Sequence, residues 1–178
     1  QMIGLGIEPN RLYIAIINDD SGDLEFWITD ENGEKVSSRH MVNIHKNISI
    51  KKMYEGWAAK KKTITIDMQG QELEDWLIYW KEEFHVPFKP GAALKRRVQN
   101  IAYFSKGFVA IASPDDQPES TINLLERFAP VFNLTYTRFN DLKIAEAHAL
   151  QAEEDLVKLH TEKTKTEEAL AVLQATQK

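Results

Sequence analysis

The sequence predicts an α+β fold: an antiparallel sheet with helices packed on it, followed by a long C-terminal helix with a coiled-coil seam. Three observations carry that expectation. From about Thr121 to Lys178 a helix-forming stretch runs with no Gly and only one Pro, Pro130. Ahead of it, short segments alternate apolar and polar residues and pair across turn-forming residues. Among those segments lie two stretches whose apolar residues recur three and four positions apart. The resulting order is strand, strand, strand, helix, strand, helix, strand, strand, long helix, which suits helices packed on an antiparallel sheet.

Taken in turn, Leu12 to Ile17 is a nearly continuous apolar run, and Leu24 to Thr29 sets Leu24, Phe26 and Ile28 against Glu25, Trp27 and Thr29. Asn18-Asp19-Asp20-Ser21-Gly22-Asp23 between them reads as a hairpin loop. Asn32-Gly33 turns the chain again, toward a strand near Met41 to Ile44. Ile48 to Lys60 has helical spacing at Ile50, Met53, Tyr54 and Trp57, and Thr63 to Met68 returns to alternation. Gln71 to Phe84 repeats Leu73, Trp76, Leu77, Trp80 and Phe84 on one helical face, and Pro87 and Pro90 break it before a short basic segment around Leu94. Val98 to Ser105 and Phe108 to Ser113 flank Lys106-Gly107 as a last hairpin. Asp115-Asp116-Gln117-Pro118-Glu119 then supplies acids and a Pro where a helix N-terminus favours them.

Composition narrows the function classes. With 178 residues, 43% hydrophobic and 28% charged, the chain supports one ordinary domain plus a tail. Net charge is -5, and the basic clusters at Lys51 and Lys52, Lys60 to Lys62 and Lys95 to Arg97 are short and separated. They read as solvated helix ends, not as a nucleic-acid surface. The absence of cysteine excludes disulfides, thiolate metal sites and Cys nucleophiles. No apolar run approaches the roughly 20 residues that span a bilayer, and Gln1-Met2 opens no signal peptide, so a cytoplasmic location without membrane contact is expected. The Gln1 start points to a piece of a longer protein.

The long helix, roughly 85 Å at about 1.5 Å per residue, outlasts any core that a domain of this size offers. From Leu142 the a positions are Leu142, Ala149, Leu156, Lys163 and Leu170, and the d positions are Ala145, Ala152, Leu159, Thr166 and Leu173. A homodimer through this seam is the expectation, weakened by three Ala residues and by one layer, Lys163 and Thr166, that is polar at both core positions. The competing possibility is a solvated surface helix folded back on its own domain.

Catalytic constellations are thin. His40, His45, His85, His148 and His160 lack metal-ligand spacing with a carboxylate partner. Asp19, Ser21, Asp23 and Asp30 fail as a calcium loop because Gly22 stands fourth where a Gly is needed sixth. Glu72, Glu74, Asp75, Glu82 and Glu83 fit the solvated face of an amphipathic helix. No phosphate loop or nucleophile elbow is present, so no catalytic residue, metal or cofactor is assigned.

Three segments carry a family resemblance. Lys106-Gly107-Phe108-Val109-Ala110-Ile111-Ala112, an acidic turn with a Pro, and Ile122-Asn123-Leu124-Leu125-Glu126-Arg127-Phe128-Ala129-Pro130-Val131-Phe132 together look like the closing strand and last helix of a GAF domain. Thr135-Tyr136-Thr137-Arg138-Phe139-Asn140-Asp141-Leu142-Lys143-Ile144-Ala145-Glu146-Ala147 is similar to the helical connector of bacterial GAF-like sensor proteins. Glu168-Ala169-Leu170-Ala171-Val172-Leu173-Gln174-Ala175-Thr176-Gln177-Lys178 resembles the stretch just before the phosphoacceptor box of sensor histidine kinases, and the box itself is absent. The resemblance implies a GAF-like sensory domain over residues 1–140, its last helix starting near 119. Residues 141–178 would then be a signalling helix leading to a kinase or other output domain of the same chain. It further implies a ligand pocket between the sheet and the helices that interrupt it, where Trp57, Trp76, Trp80 and Arg97 would suit a planar or anionic small molecule. The same tryptophans at helical spacing also serve as ordinary core, and Arg97, beside Lys95 and Arg96, also reads as exposed. No Cys is available for a bilin and no cyclic-nucleotide signature is present, which leaves the ligand unidentified. The sequence thus favours a non-catalytic sensory module of a two-component signalling protein over a ligand-free dimerisation domain, and either over a small enzyme.

Overall fold

The computed structural model describes residues 11–18, 21–29, 36–84 and 95–176. It is an α+β structure: six antiparallel strands in the order β3-β2-β1-β6-β5-β4, two shorter helices and a long C-terminal helix. The strands are β1 Arg11–Ile17, β2 Leu24–Thr29, β3 Val36–Val42, β4 Thr63–Gln69, β5 Arg96–Phe104 and β6 Gly107–Ser113. The helices are α1 Ile48–Ala58, α2 Gly70–Tyr79 with a π-helical turn Trp80–Phe84 directly after it, and α3 Glu119–Thr176. The Asn32-Gly33 turn, the Pro87 and Pro90 break and the segment around Leu94 lie outside the described residues.

The β1–β2 hairpin is closed by Asn18 N–H to Asp23 O and Gly22 N–H to Asn18 O, both 2.9 Å, with Gly22 at φ 74°. The β5–β6 hairpin has its two-residue loop one position earlier than the sequence suggests: Phe104 pairs with Gly107, so Ser105-Lys106 is the loop and Gly107 opens β6. Glycine is required there, because a Cβ on Gly107 would sit 1.9 Å from the carbonyl oxygen of Ala15 where β1 runs alongside. The expected strand at Met41 to Ile44 is in fact Val36–Val42, overlapping only at its end. Ser37, Ser38, Arg39 and His40 hide its alternation. As an edge strand it needs one backbone partner, β2, and no continuous apolar run.

Near-continuous burial along β5 and β6 means that both faces of the sheet centre are covered. The inward set Tyr13, Ala15, Ile17, Phe26, Met68, Ile101, Phe108 and Ala110 packs under Ile50 and Met53 of α1 and Leu73 and Trp76 of α2. Asn47 caps α1 by accepting from Ser49 N–H at 2.8 Å and Ile50 N–H at 3.4 Å. Gly56 lets the helix lie on Tyr103, whose hydroxyl donates to Met53 O at 2.9 Å; a Cβ on Gly56 would stand 2.1 Å from that hydroxyl oxygen. The helix ends in a Schellman motif, Lys61 N–H to Gly56 O at 3.1 Å and Lys60 N–H to Trp57 O at 2.8 Å, with Lys60 in the left-handed region at φ 54°. On the opposite face the first turns of α3 bury Thr121, Leu125 and Ala129, and Thr63 Oγ1 donates to Glu126 Oε1 at 3.4 Å.

The chain divides into two compact units, Gln1–Asn133 and Leu134–Lys178. The second is the distal part of α3, a helix of 58 residues, about 87 Å at roughly 1.5 Å per residue. Every residue from Asp141 to Val172 is exposed.

Candidate functional site

Two arginines are buried in the sheet domain, and both lie against one indole. Arg11 opens β1 and Arg97 is the second residue of β5; each is 1% exposed. Their guanidinium carbons stand 5.7 Å and 5.9 Å from the Trp80 ring centroid. Strand alternation explains their position, since Arg11 shares the inward face with Tyr13, Ala15 and Ile17, and Arg97 shares it with Gln99 and Ile101. In the sheet Arg11 and Gln99 both pair with Ala112, which sets the two strands' polar residues in one row.

Trp80 reaches this position through the π-helical turn. Trp80 and Phe84 are buried in this turn, and Leu73, Trp76 and Tyr79 are buried on the α-helical turns before it. Phe84 stacks on Trp80 at 4.4 Å and 19°, Trp76 stands 5.3 Å from Trp80, and His40 of β3 meets the Phe84 ring at 4.9 Å. The aromatic wall is therefore assembled from three elements.

Polar groups complete the cluster. The Tyr13 hydroxyl donates to Gln99 Oε1. Among the described residues Gln99 Nε2 and Trp76 Nε1 have no hydrogen-bond partner, although both side chains are fully buried. Burial pushes the Arg97 guanidinium down to about 10; Tyr13 pulls it back up and Arg11 pushes it further down. Arg97 thus stays charged at neutral pH and senses a second cation. Burial also raises the Tyr13 phenol above its ordinary value, with Arg97 opposing. The arrangement offers positive charge, N–H donors and flat apolar walls, and among the described residues it pairs no nucleophile with a base.

The structure brings together Trp76, Trp80 and Arg97 of the sequence-derived set. Trp57 is elsewhere. It is half-buried on α1 and donates from Nε1 to Ser105 O at 3.2 Å. Ser105 lies eight residues along from Arg97, about 26 Å of extended chain at roughly 3.3 Å per residue. There Trp57 lines a separate, open cleft of about 410 Å³ with Lys60, Lys61 and Tyr103. Arg97 also corrects the expectation of an exposed basic cluster at Lys95 to Arg97. Successive strand residues face opposite sides, so Arg97 is buried while Arg96 is half-exposed and chelates Asp67 at 2.9 Å and Asp116 at 2.7 Å and 2.9 Å. Arg11 was missed in the sequence; its period-2 spacing with Tyr13, Ala15 and Ile17 is the signal that places it inward.

Among the described residues no three His, Cys, Asp or Glu side chains gather as metal ligands, and no helix is long and apolar enough to cross a membrane. Glu72 holds Lys52 at 2.6 Å and accepts from the Ser49 hydroxyl at 3.1 Å, and Glu83 holds Lys46 at 2.6 Å.

The seam residues form the other candidate surface. Leu142, Leu156, Leu159 and Leu170 are 55% to 67% exposed, and Ala149 is exposed too. Leu173 lies in the α3 backbone, its side chain outside the described residues. Around the polar layer Thr161, Thr164 and Thr166 each donate a hydroxyl bond to the carbonyl four residues back, at 2.8 Å, 3.0 Å and 2.9 Å.

Set against known protein families, curated proteins and solved structures, the chain matches none.

Proposed function

We propose that the chain is the sensory and dimerising part of a signal-transduction protein, with a GAF-like domain whose state is passed through a dimeric helix to an output domain, a two-component histidine kinase being the best fit. The observation that carries this is the exposed 3-4 seam on α3. A lone helix with leucines more than half exposed is poorly stabilised in water, and fully burying one Leu is worth about 1.5–3 kcal/mol. A second copy supplies that cover in register, because every a position meets its equivalent in a parallel pair.

The same helix is anchored in the sheet domain through Thr121, Leu125 and Ala129, so one element belongs both to the sensing unit and to the seam. Pro130 removes one helical N–H at the base of the distal segment. The Lys163 and Thr166 layer, with back-bonded threonines that bend helices, is a natural place for two packings separated by a few kcal/mol.

Single cysteines test this cleanly, since the chain has none. Leu156→Cys and Leu159→Cys are expected to cross-link between copies under mild oxidation at least tenfold faster than Glu154→Cys and Thr161→Cys on the outer face. Equal rates at all four positions would remove the seam. The complete burial of Trp76 and Trp80 favours a second reading, a dimerisation domain with no ligand; it predicts the same cross-links and no response to any small molecule.

A further inference from the structure

We infer that the open cleft beside Trp57 is a binding site for a small aromatic acid, a flat ring that carries a carboxylate or similar anionic group. This rests on the sensory reading proposed above and gives that reading a site. The cleft has a volume of about 410 Å³, within the range of small-molecule pockets, and Trp57, Tyr103 and Phe104 line it together with Lys60, Lys61 and Ser105. The polar atoms of its aromatic wall are already committed to backbone: Trp57 Nε1 donates to Ser105 O at 3.2 Å and the Tyr103 hydroxyl to Met53 O at 2.9 Å. Those bonds hold the two rings in place, so what the wall offers a ligand is carbon surface on which a flat ring packs.

The charge comes from the end of α1. Lys60 and Lys61 are exposed and make no ion pair among the described residues, whereas Lys46, Lys51 and Lys52 each hold a glutamate. Lysine suits an apolar cleft, since its methylene stem covers carbon surface while the ammonium group stays in water. An independent observation singles out Lys60. It takes the left-handed position of the Schellman motif at φ 54°, where glycine is the usual residue and carries no Cβ penalty. A residue held there at a cost brings a cation to the cleft, and strained backbone of this kind clusters at ligand sites. A flat acid answers both the wall and the lysines; a cation is repelled by the two ammonium groups, and an inorganic anion leaves the aromatic wall uncovered. The cleft also adjoins the long helix, because Ser105, whose carbonyl fixes Trp57, donates from its hydroxyl to Asn133 Oδ1 of α3.

The test is a titration of the full 178-residue chain with sodium cinnamate and, separately, with cinnamyl alcohol, cinnamylamine and sodium phosphate at matched ionic strength. Thermal midpoint and the indole N–H signals of a 15N-labelled sample are read together, with Trp57→Phe identifying the Trp57 signal. At about 100 times Kd cinnamate is expected to raise the midpoint by roughly 5 °C or more and to move the Trp57 signal. The alcohol should bind about tenfold more weakly, and the amine and phosphate should give no shift. Lys60→Gly is the most telling variant, because it is expected to gain stability and yet bind cinnamate about threefold more weakly; adding Lys61→Gln should bring the loss to about tenfold. No midpoint shift with cinnamate overturns the inference; so does a shift that leaves the Trp57 signal in place, which would mark a site elsewhere. Equal affinity for acid and alcohol, or full affinity in the double variant, overturns it as well. Sedimentation of the same samples keeps it apart from the reading it rests on: a dimer without cinnamate response removes this inference alone, and a cinnamate response in a chain that stays monomeric removes the dimeric helix alone.

Discussion

Leu125 and Leu156 sit on the same helix, and Leu125 is fully buried while Leu156 is 67% exposed. The first belongs to a unit whose sheet is covered on both faces by the chain's own helices. The second belongs to a unit with nothing of its own to cover it. Local helix-forming power is similar at the two positions, so what differs is the source of the cover: intramolecular for the sheet domain, a second copy for the distal segment. Substitutions should accordingly change folding in one region and association in the other.

The largest effect is expected at Trp80. Trp80→Ala removes the surface shared by Phe84, Trp76 and both arginines and should cost about 4 kcal/mol of domain stability. All four tryptophans fall within the first 80 residues, so fluorescence-detected urea unfolding reads this region alone. Gly56→Ala should follow at about 2 kcal/mol, since the new methyl drives Tyr103 off Met53 O. If either variant also abolished association, the separation of the two regions would be wrong. In the distal unit the ordering reverses. Lys163→Leu with Thr166→Leu should leave the fluorescence midpoint unchanged and tighten the dimer at least tenfold, about 1.4 kcal/mol, as read by sedimentation; unchanged affinity would refute the heptad register.

Smaller changes sharpen the picture of the sheet domain. Lys60→Gly should stabilise it by about 0.7 kcal/mol, because Lys60 holds a left-handed conformation that glycine adopts without penalty. The smallest effect is electrostatic. Hydrogen bonds from Arg96 hold the Asp67 carboxyl below its ordinary value. A carboxylate with a depressed folded-state pKa stabilises the fold above the ordinary carboxylate range, and that contribution disappears as pH falls through the depressed value. Arg96→Gln should therefore slightly lower stability at neutral pH and leave it nearly unchanged at pH 2, which flattens the acid limb of the stability profile, measured by unfolding between pH 7 and pH 2.

What the sequence made legible follows from these physical differences. The apolar strands β1, β2, β4 and β6 and the aromatic stripe Trp76, Trp80 and Phe84 announced themselves, because burial on a fixed face imposes a period on the residues. β3 did not, since an edge strand is specified by its neighbour's backbone. The π-helical turn Trp80–Phe84 has no sequence signature of its own. Arg97 was selected for its charge and Arg11 was overlooked, yet the two became one feature only when β6 paired with both β1 and β5 and brought them together. Trp57 shows the converse: its helical spacing was read correctly, and its place at the far end of β5 was not. Seam and domain differ here too, since a heptad is local and can be read from spacing, while a site built across a sheet requires the topology.

The most direct test of the whole account is sedimentation equilibrium of the full chain and of a version ending at Asp141, over the same concentration series. The account predicts a dimer for the full chain and at least a hundredfold weaker association for the shortened one, with identical tryptophan fluorescence in both. A full chain that stays monomeric while its helix content is intact would contradict it.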